Sequence, residues 1–283
     1  MTEDKTRVPP VALTIAGFDP SGGAGVIADI KTFTAFNCFA TAAVTSLTFQ
    51  DTMGVYGAVH QTAEAVRAQV LPVVEDFHVA CVKTGMLPTR EIIEEVARLI
   101  RETDLPQPVV DPVVRSTSGY DLIDDDALSS LVKALFPLSR VVTPNIPEAE
   151  RITGLTVEDE DGMRRAAVRM REMGARAVLV KGGHLRRQDS KVRSKESEIA
   201  RTAVDILNDE GRVSVLVGDW IESTSTHGTG CTLAAAIAAC LGWGKTLEES
   251  VATAKQFVAD AIRKAPQLGH GHGPINHNVT TSL

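Results

Sequence analysis

The sequence is short of aromatic residues, which make up 4% of its 283 positions. Proteins that bind single-stranded nucleic acid use aromatic side chains as stacking platforms, so this scarcity disfavours that class. Basic residues are also outnumbered, with 29 Lys and Arg against 36 Asp and Glu, and the net charge of −7 repels DNA, RNA and anionic lipid. We therefore expect a small-molecule partner and no nucleic acid.

The sequence also has few cysteines and no long apolar run. The four cysteines form neither a C-x-x-C pair nor a metal-like cluster, which favours a reducing compartment; they are Cys38, Cys81, Cys231 and Cys240. No stretch approaches the ~18 consecutive apolar residues of a membrane span, and residues 1–10 lack the apolar core of a secretory signal. We therefore expect a soluble cytoplasmic protein that does not bind membranes.

The apolar pattern alternates between short runs typical of strands and longer stretches of helical spacing, which indicates βαβ units. No linker divides the chain, and 43% hydrophobic content is ordinary for a globular protein. We predict a flexible N-terminus over residues 1–10, one three-layer α/β/α domain over 11–265 with a mostly parallel central sheet, and a C-terminal tail over 266–283. The charge-rich stretch Arg186–Arg201 is predicted to be a surface insertion. In such folds ligands bind at the carboxyl ends of the strands.

The predicted elements follow one another without internal repeats. The strands cover Val11–Ala16, Ala40–Phe49, Val79–Lys83, Val109–Val110, Arg140–Thr143, Ala177–Lys181 and a hairpin of Val204–Leu207 with Val213–Val217. The helices cover Val26–Phe36, Ala63–Val74, Glu91–Arg101, Asp125–Phe136 and Glu160–Met173, then a buried helix after Gly228-Thr229-Gly230 and a last one that begins at the capping box Thr246…Glu249.

Two glycine-containing motifs suggest other nucleotide-binding classes. Gly23–Ala28 matches the dinucleotide fingerprint, but it does not follow its strand directly, and the nearest acid, Asp51, lies too far along the chain. Gly244-Lys245-Thr246 resembles the end of a P-loop, yet Ala239 stands where the leading glycine is needed. We therefore disfavour both alternatives.

The segment Ser225–Leu233 is a glycine-rich turn that leads directly into a predicted buried helix. Glycines allow successive N–H groups to converge, and the start of a helix adds unpaired donors and the positive end of its dipole. Such a cup suits a phosphoryl group that gains charge during transfer. The alternative is a helix start eased by glycine that binds no ligand.

Polar residues at other strand ends support the interpretation of this segment as a phosphate site. The carboxylates of Asp111 and Glu148 suit magnesium, while Lys181 and Asn145 are candidates for binding a nucleotide. Each has a structural alternative: Asn145 as a helix N-cap, Glu148 as a first-turn acid and Lys181 as an aliphatic stem with an exposed head. Together they outline a site for a nucleoside triphosphate.

A second group of residues, which we place at the other end of the fold, outlines an acceptor pocket. It comprises the loop after the first strand together with Thr48–Thr52 and Gly85–Leu87. Gln50 offers both a donor and an acceptor, as a planar aminopyrimidine edge requires, and Met86 and Val113 are placed to sandwich a ring. The alternatives are a hydrogen-bonded turn residue for Gln50 and core packing for Met86 and Val113.

Six ordered segments of the chain resemble the hydroxymethylpyrimidine and phosphomethylpyrimidine kinases of thiamine biosynthesis, which belong to the ribokinase-like superfamily. The segments are Leu13–Gly25, Ala28–Phe33, Lys83–Leu87, Thr143–Ala149, Val180–His184 and His227–Thr232. The resemblance implies a ribokinase-like fold, a homodimer and two successive transfers from ATP with Mg²⁺. The first would go to the hydroxymethyl group of 4-amino-5-hydroxymethyl-2-methylpyrimidine and the second to the resulting monophosphate.

The resemblance also implies roles for individual residues. It places the pyrimidine against Gln50, with Gly17, Ala24, Met86 and Val113 around the ring. It assigns magnesium to Asp111 and Glu148, the nucleotide to Lys181, and the catalytic oxyanion cup to Gly228, Thr229, Gly230 and Cys231. Other members often have an Ala-Lys pair before Ser-Gly, whereas this chain has Arg115-Ser116-Thr117-Ser118-Gly119 and so lacks the lysine that would contact phosphate there.

Cys231 stands where many sugar kinases of the superfamily have an aspartate base. The start of a helix lowers a thiol pKa from its usual ~8.5, so a thiolate that accepts the substrate proton is one hypothesis. The other, which we favour slightly, is that positioning and charge neutralisation suffice without a strong base.

Three alternatives remain open at this stage. A pyridoxal kinase would phosphorylate a hydroxymethyl group on a similar flat ring, and a catalytically silent vitamin-binding module would keep the fold without the chemistry. The histidines of the tail, His270, His272 and His277, match the closing segment of the family, and a metal site is the weaker alternative for them.

Overall fold

The computed structural model describes residues 8–115, 121–183 and 202–280. Its strands are β1 (Val11–Phe18), β2 (Phe39–Gln50), β3 (Val55–His60), β4 (Val79–Thr84), β5 (Val109–Val110), β6 (Val141–Val142), β7 (Ala177–Lys181), β8 (Thr202–Asp209) and β9 (Arg212–Asp219). Its helices are α1 (Gly25–Ala35), α2 (Ala63–Asp76), α3 (Arg90–Glu102), α4 (Asp125–Ser130), α5 (Ile146–Thr153), α6 (Glu160–Glu172), α7 (Thr229–Gly242) and α8 (Leu247–Arg263).

The strands form one sheet in the order β3-β2-β1-β4-β5-β6-β7-β8-β9. The six strands from β2 to β7 run parallel, whereas β3 on one edge and β8 and β9 on the other pair antiparallel. Successive residues of a strand point to opposite faces, and Ala12 and Leu13 of β1 accordingly lie in different core clusters. Helices α2 to α6 cover one face, and α1, α7 and α8 cover the other. The predicted three-layer α/β/α architecture is confirmed.

Helix α7 lies in the interior because its sequence is almost entirely small and apolar. Residues from Thr232 to Cys240 are buried, and α7 packs on α8, α1 and the sheet. Helix α8 starts at the predicted capping box, in which Glu249 N donates to Thr246 Oγ1 and Thr246 N donates to a carboxylate oxygen of Glu249. These two helices fix the position of the glycine-rich segment that precedes them.

The structure differs from the predicted elements in three places. Strand β3 was not predicted, because it lies at the sheet edge, where Tyr56 and Val59 are exposed, and its apolar residues show no clean alternation. Helix α5 was missed because it is short and has proline in its first turn. The predicted helix Asp125–Phe136 is α4 followed by a π turn over Leu131–Leu135 and a 3₁₀ turn over Phe136–Leu138, since proline at residue 137 cannot continue an α-helix.

Residues 266–280 of the predicted tail run back across the molecule and bury Ile275 and Val279 against the cluster of α7 and α8. The predicted insertion Arg186–Arg201 lies outside the described residues, as do residues 1–7 of the predicted N-terminus. In the part of the chain that the structure describes, no helix has both the length and the apolar character needed to span a membrane.

Candidate active site

One cavity of about 1420 Å³ opens at the carboxyl ends of the parallel strands. Its walls include every site residue that the sequence predicts, namely Gly17, Ala24, Gln50, Met86, Asp111, Val113, Asn145, Glu148, Lys181, Gly228, Thr229, Gly230 and Cys231. Placing the acceptor group at the other end of the fold was therefore wrong. All the parallel strands point their carboxyl ends toward the same edge of the sheet, so the two groups share one cavity.

Helix α7 begins at this cavity with a left-handed glycine. Gly228 has a φ of +81°, and a Cβ added there would lie 1.7 Å from the Gly23 carbonyl oxygen, so only glycine fits. Gly228 brings no side chain to cap the helix, and the first N–H groups of a helix have no acceptor within it. The start of α7 lines the cavity, and its role as an anion-binding cup stays a prediction.

A partly buried ion pair lies directly beside the start of α7. Lys181 at the end of β7 places its Nζ 3.0 Å from Asp111 Oδ1, and Thr143 donates a hydrogen bond of 3.2 Å to the same oxygen. A Cβ added at Gly230 would lie 3.1 Å from Lys181 Nζ, which shows how closely the helix approaches the ammonium group. Burial opposes ionisation of Asp111, but the charges of Lys181 and Lys83 outweigh it and hold the pKa of Asp111 below its usual range.

Asn145 and Glu148 form the capping box of α5. The Asn145 side chain accepts from Glu148 N at 2.9 Å, and Glu148 Oε2 accepts from Asn145 N at 2.8 Å. The structural alternatives for both residues are therefore present in the molecule, and their roles toward nucleotide and magnesium stay predictions. Burial raises the pKa of Glu148 to about 7; the charge of Lys181 opposes this rise and that of Asp111 adds to it.

The two carboxylates of Asp111 and Glu148 fit a magnesium ion. Both are buried and line the same cavity, and the charge of Asp111 disfavours ionisation of Glu148, so a bound cation would relieve this repulsion. Magnesium in phosphoryl-transfer sites is held by one or two carboxylates together with substrate phosphates and water. No group of three or more His, Cys, Asp or Glu with a metal-binding arrangement occurs in residues 8–115, 121–183 and 202–280.

The predicted acceptor end of the cavity combines the apolar side chains of Met86 and Val113 with polar groups such as Gln50 and Asp19. A Cβ added at Gly17 would lie 3.1 Å from Met86 Sδ, and the Met86 carbonyl accepts a 2.6 Å hydrogen bond from Thr45 Oγ1. Gln50 ends β2 and lies within hydrogen-bonding reach of the Asp19 carboxylate. This end therefore places the Gln50 amide in the same cavity wall as the Met86 side chain.

The sequence of this chain matches a model of the phosphomethylpyrimidine kinase family over residues 19–276. The chain belongs to that family. Its ribokinase-like fold also agrees with solved structures of related kinases. A phosphomethylpyrimidine kinase from Clostridium difficile superposes with a TM-score of 0.75 at 37% identity, covering 89% of this chain and all but 1% of that one. A pyridoxal kinase from Staphylococcus aureus in complex with AMP-PCP and pyridoxal superposes with a TM-score of 0.84 at 30% identity, covering 97% of both chains.

Curated relatives carry the same family names. The hydroxymethylpyrimidine/phosphomethylpyrimidine kinase of Bacillus subtilis is 40% identical over 266 residues, which is 94% of each chain. The thiamine biosynthesis bifunctional protein ThiED of Geobacter sulfurreducens is 47% identical over 266 residues. That alignment covers 94% of this chain and 51% of the relative, so the chain spans about half the length of ThiED. This family member is accordingly a phosphotransferase.

The thiol of this kinase does not behave as the sequence suggests. Burial raises the pKa of Cys231 to about 12; Lys83 opposes the rise, whereas Asp111 and Asp29 add to it. The expectation that the start of α7 lowers the Cys231 pKa is wrong here, because desolvation and the charges of Asp111 and Asp29 raise it. Cys231 is a neutral thiol at physiological pH, which favours the hypothesis without a thiolate base.

Several residues at the site were not singled out by sequence reasoning. Asp19 and His227 hydrogen-bond across the cavity rim, and a wall built by β9 and α8, including Val217 and Lys255, closes the side beyond Lys181. Asp19 and His227 flank glycine-rich motifs, which was the available signal, but 208 positions separate them. Only the folded chain brings them together.

The structure also describes the contacts of Arg115 and His277, which the sequence analysis named. Arg115 forms an exposed ion pair with Asp121 at 2.8 Å, and residues 116–119 of the departure from the family pattern lie outside the described residues. His277 is buried and shares a 3.0 Å hydrogen bond with Thr232 Oγ1, so it fastens the tail to α7. This contact accounts for His277 without a metal.

Proposed function

We propose that this kinase transfers a phosphoryl group from ATP to 4-amino-5-hydroxymethyl-2-methylpyrimidine and then to the resulting monophosphate, which supplies the diphosphate for thiamine biosynthesis. The names of its relatives support this proposal. The observation that carries it is that one cavity is lined both by the glycine-rich start of α7 and by Gly17, Gln50 and Met86. A kinase needs the two ends within one enclosure, because the acceptor oxygen and the phosphorus atom must meet in line.

The charged end of the cavity is suited to hold the triphosphate. Lys181 is the last residue of β7 and lines the cavity. Its ammonium group would contact phosphate oxygens, and its ion pair with Asp111 keeps it charged and oriented. Asp111 and Glu148 would hold Mg²⁺, which when bound neutralises charge on the phosphates. The N–H groups of Gly228–Cys231 would stabilise the charge that develops on the transferred phosphoryl oxygens.

The acceptor end is suited to present a flat alcohol. Gln50 offers a donor and an acceptor side by side, which matches the amino group and ring nitrogen of an aminopyrimidine. Met86 and Val113 line the same pocket, and the glycine at position 17 lets the Met86 side chain pack against the backbone there. No strong base is needed at the hydroxyl group if the transition state is loose, in keeping with the neutral Cys231 thiol.

Pyridoxal is the second candidate substrate. Pyridoxal kinases from Bacillus subtilis and Staphylococcus aureus superpose with TM-scores of 0.82 and 0.84. Their substrate also carries a hydroxymethyl group on a flat ring. The silent binding module is disfavoured because a protein that only binds a vitamin has no need for Lys181, Asp111 and Glu148 beside an anion cup.

The test is a comparison of the two alcohols with the purified protein. ADP release and product mass should be followed with ATP, Mg²⁺ and each alcohol in turn, and Lys181→Met serves as the inactive control. We expect mono- and diphosphate products from the pyrimidine and a higher kcat/KM for it than for pyridoxal. Preference for pyridoxal would establish the second candidate, and absence of ADP release with both alcohols would refute kinase function on these substrates.

The homodimer and the cytoplasmic location also remain predictions. The dimer is supported by an exposed apolar surface at the β2–β3 edge, where Phe49, Met53, Tyr56 and Val59 are each more than half exposed. Light scattering coupled to size-exclusion chromatography gives the mass of the particle in solution. A mass near 30 kDa at micromolar concentration would contradict the dimer.

A further inference from the structure

The Asp19 carboxylate lies at a junction of three parts of the active site. His227 Nε2 is 2.8 Å from Asp19 Oδ2, and the side chains of the pair are only 14% and 3% exposed. The backbone N–H groups of Ser21 and Ala24 each donate to Asp19 at 2.8 Å, and Gln50 lies within hydrogen-bonding reach. One side chain therefore contacts the loop after β1, the end of β2 and the segment before α7.

The protonation state of the Asp19 carboxylate follows from the groups that contact it. Burial raises the pKa of Asp19, but hydrogen bonds from His227, Ser21 and Gln50 outweigh it and lower the pKa to about 2. An ionised carboxylate only accepts hydrogen bonds, so the proton of the His227–Asp19 contact is on Nε2. The same argument turns the NH₂ group of Gln50 toward Asp19.

His227 is held in place on its other sides as well. Its N–H donates to the Gly273 carbonyl in the tail at 3.1 Å, and a Cβ added at Gly23 would lie 2.4 Å from His227 Cδ2. The next residue, Gly228, packs its Cα against the Gly23 carbonyl. The ring of His227 and the backbone of Gly228 are therefore both packed against the loop after β1.

We infer that His227 is a positioning residue: its hydrogen bond to Asp19 holds the anion cup of Gly228–Cys231 in register with the pocket that contains Gln50 and Ala24. This inference rests on the proposed kinase function. In-line transfer depends on the separation of the acceptor oxygen and the phosphoryl group, and small misplacements lower the rate steeply. The Asp19–His227 bond is the described side-chain contact that directly joins the two loops on which those groups would bind.

Removing the bond should affect turnover more than binding of the pyrimidine. In His227→Leu we expect kcat to fall about 10-fold to 100-fold, as for loss of one charge-assisted hydrogen bond, with the KM for the pyrimidine changed by less than about 3-fold. The Gln Nε2 atom can replace His Nε2 as the donor, so His227→Gln should recover most of kcat. Asp19→Asn should lower kcat and also raise the KM for the pyrimidine, because Gln50 loses its anionic partner.

His277→Leu is the matched control. The His277 side chain also forms a hydrogen bond with a residue of α7, Thr232. It is not part of the cavity wall. Its substitution should lower Tm and leave kcat per folded molecule within about 2-fold of the parent. Thermal melts of all variants, with activity normalised to the folded fraction, separate a loss of position from a loss of fold.

The kinetic comparison uses whichever alcohol the parent enzyme phosphorylates. The inference is overturned by a kcat for His227→Leu within about 2-fold of the parent, or by His227→Gln being as slow as His227→Leu. If the parent phosphorylates neither alcohol, the proposed function fails, and calorimetry with a non-hydrolysable ATP analogue still tests the inference. We expect about 10-fold weaker binding in His227→Leu and none of this loss in His277→Leu, and equal binding in all three proteins would overturn it. Should His227→Leu not fold, Asp19→Asn provides the same measurements.

Discussion

Two Lys–Asp pairs lie close together in this kinase, and they differ in their access to solvent. Lys83 on β4 pairs with Asp29 on α1 at 2.7 Å, and both side chains are completely buried. Lys181 pairs with Asp111 at 3.0 Å, and its side chain keeps 14% of its surface at the cavity. The chemistry of the two pairs is the same, so the residue types do not decide which one acts on a ligand.

The surroundings explain the difference. Thr14 Oγ1 donates to Asp29 at 2.6 Å, and a Cβ added at Gly85 would lie 2.7 Å from Lys83 Nζ, so no space remains for a ligand at the sealed pair. Lys181 instead lines the cavity beside the start of α7, so a ligand in the cavity can reach its ammonium group. A buried ion pair adds little net stability compared with apolar packing, whereas an accessible one can bind.

The largest expected effect comes from removing the open cation. Lys181→Met should lower kcat/KM about 100-fold to 1000-fold, since it removes a charge that would face the transferred phosphate. Folding stability should change by less than about 2 kcal/mol, because Asp111 remains next to the cavity and keeps Thr143 as a donor. Steady-state kinetics and urea denaturation measure the two quantities. Loss of stability without loss of turnover would remove the contrast with Lys83.

The sealed pair should respond in the opposite way. Lys83→Met leaves the Asp29 carboxylate buried without its cation, and we expect a loss of about 3–5 kcal/mol in the free energy of unfolding. The double variant Asp29→Asn/Lys83→Met removes both charges and should recover much of that loss. Urea denaturation of the single and double variants gives the coupling free energy between Lys83 and Asp29. If the losses of stability from the two substitutions simply add, the prediction is contradicted.

A second sealed group predicts a pH effect on stability. Burial lowers the pKa of His277 from 6.5 to about 4, with a contribution from Lys31. Between these values the unfolded chain binds a proton that the folded chain does not, so stability falls as pH drops through 6.5 and continues to fall down to about 4. The loss should reach about 3 kcal/mol and be absent in His277→Gln. Unfolding curves of both proteins from pH 7.5 to 4.5 measure it.

The smallest expected effect comes from the Cys231 thiol, which lines the cavity and is already neutral. Cys231→Ser should retain measurable turnover, within about 10-fold of the parent, because the neutral thiol already acts without a thiolate. Cys231→Asp should alter activity strongly, since it adds a charge beside Asp111. If Cys231→Ser abolished turnover with substrate binding unchanged, a proton-accepting thiolate would be supported instead.

Much of the fold follows from local pattern. Buried parallel strands such as β7 read as continuous apolar runs, and α3 and α8 show one apolar face with capping residues. The pattern fails at β3, an edge strand with exposed apolar side chains, and after α4, where the π and 3₁₀ turns have no periodic signature. In both cases neighbours distant in sequence decide the local conformation.

The site was predictable to the extent that it depends on strand ends. Asp111, Glu148, Lys181 and the cup could be brought together on paper because parallel strands end at one edge. The hydrogen bond between Asp19 and His227 could not be predicted from the sequence. The complete burial of the Lys83–Asp29 pair could not be predicted either. Both depend on which loops and helices pack against each other after the sheet has formed.

The sequence by itself determined the alternation of strands and helices, the glycine-rich helix start and the set of polar residues at the strand ends. These are properties of short windows, in which backbone preference and apolar spacing act locally. Tertiary structure alone decided which Lys–Asp pair is open, why the Cys231 thiol stays protonated and which residues hold the cup against the acceptor pocket. Those outcomes depend on desolvation and on distances of a few ångströms between distant segments, which no local pattern contains.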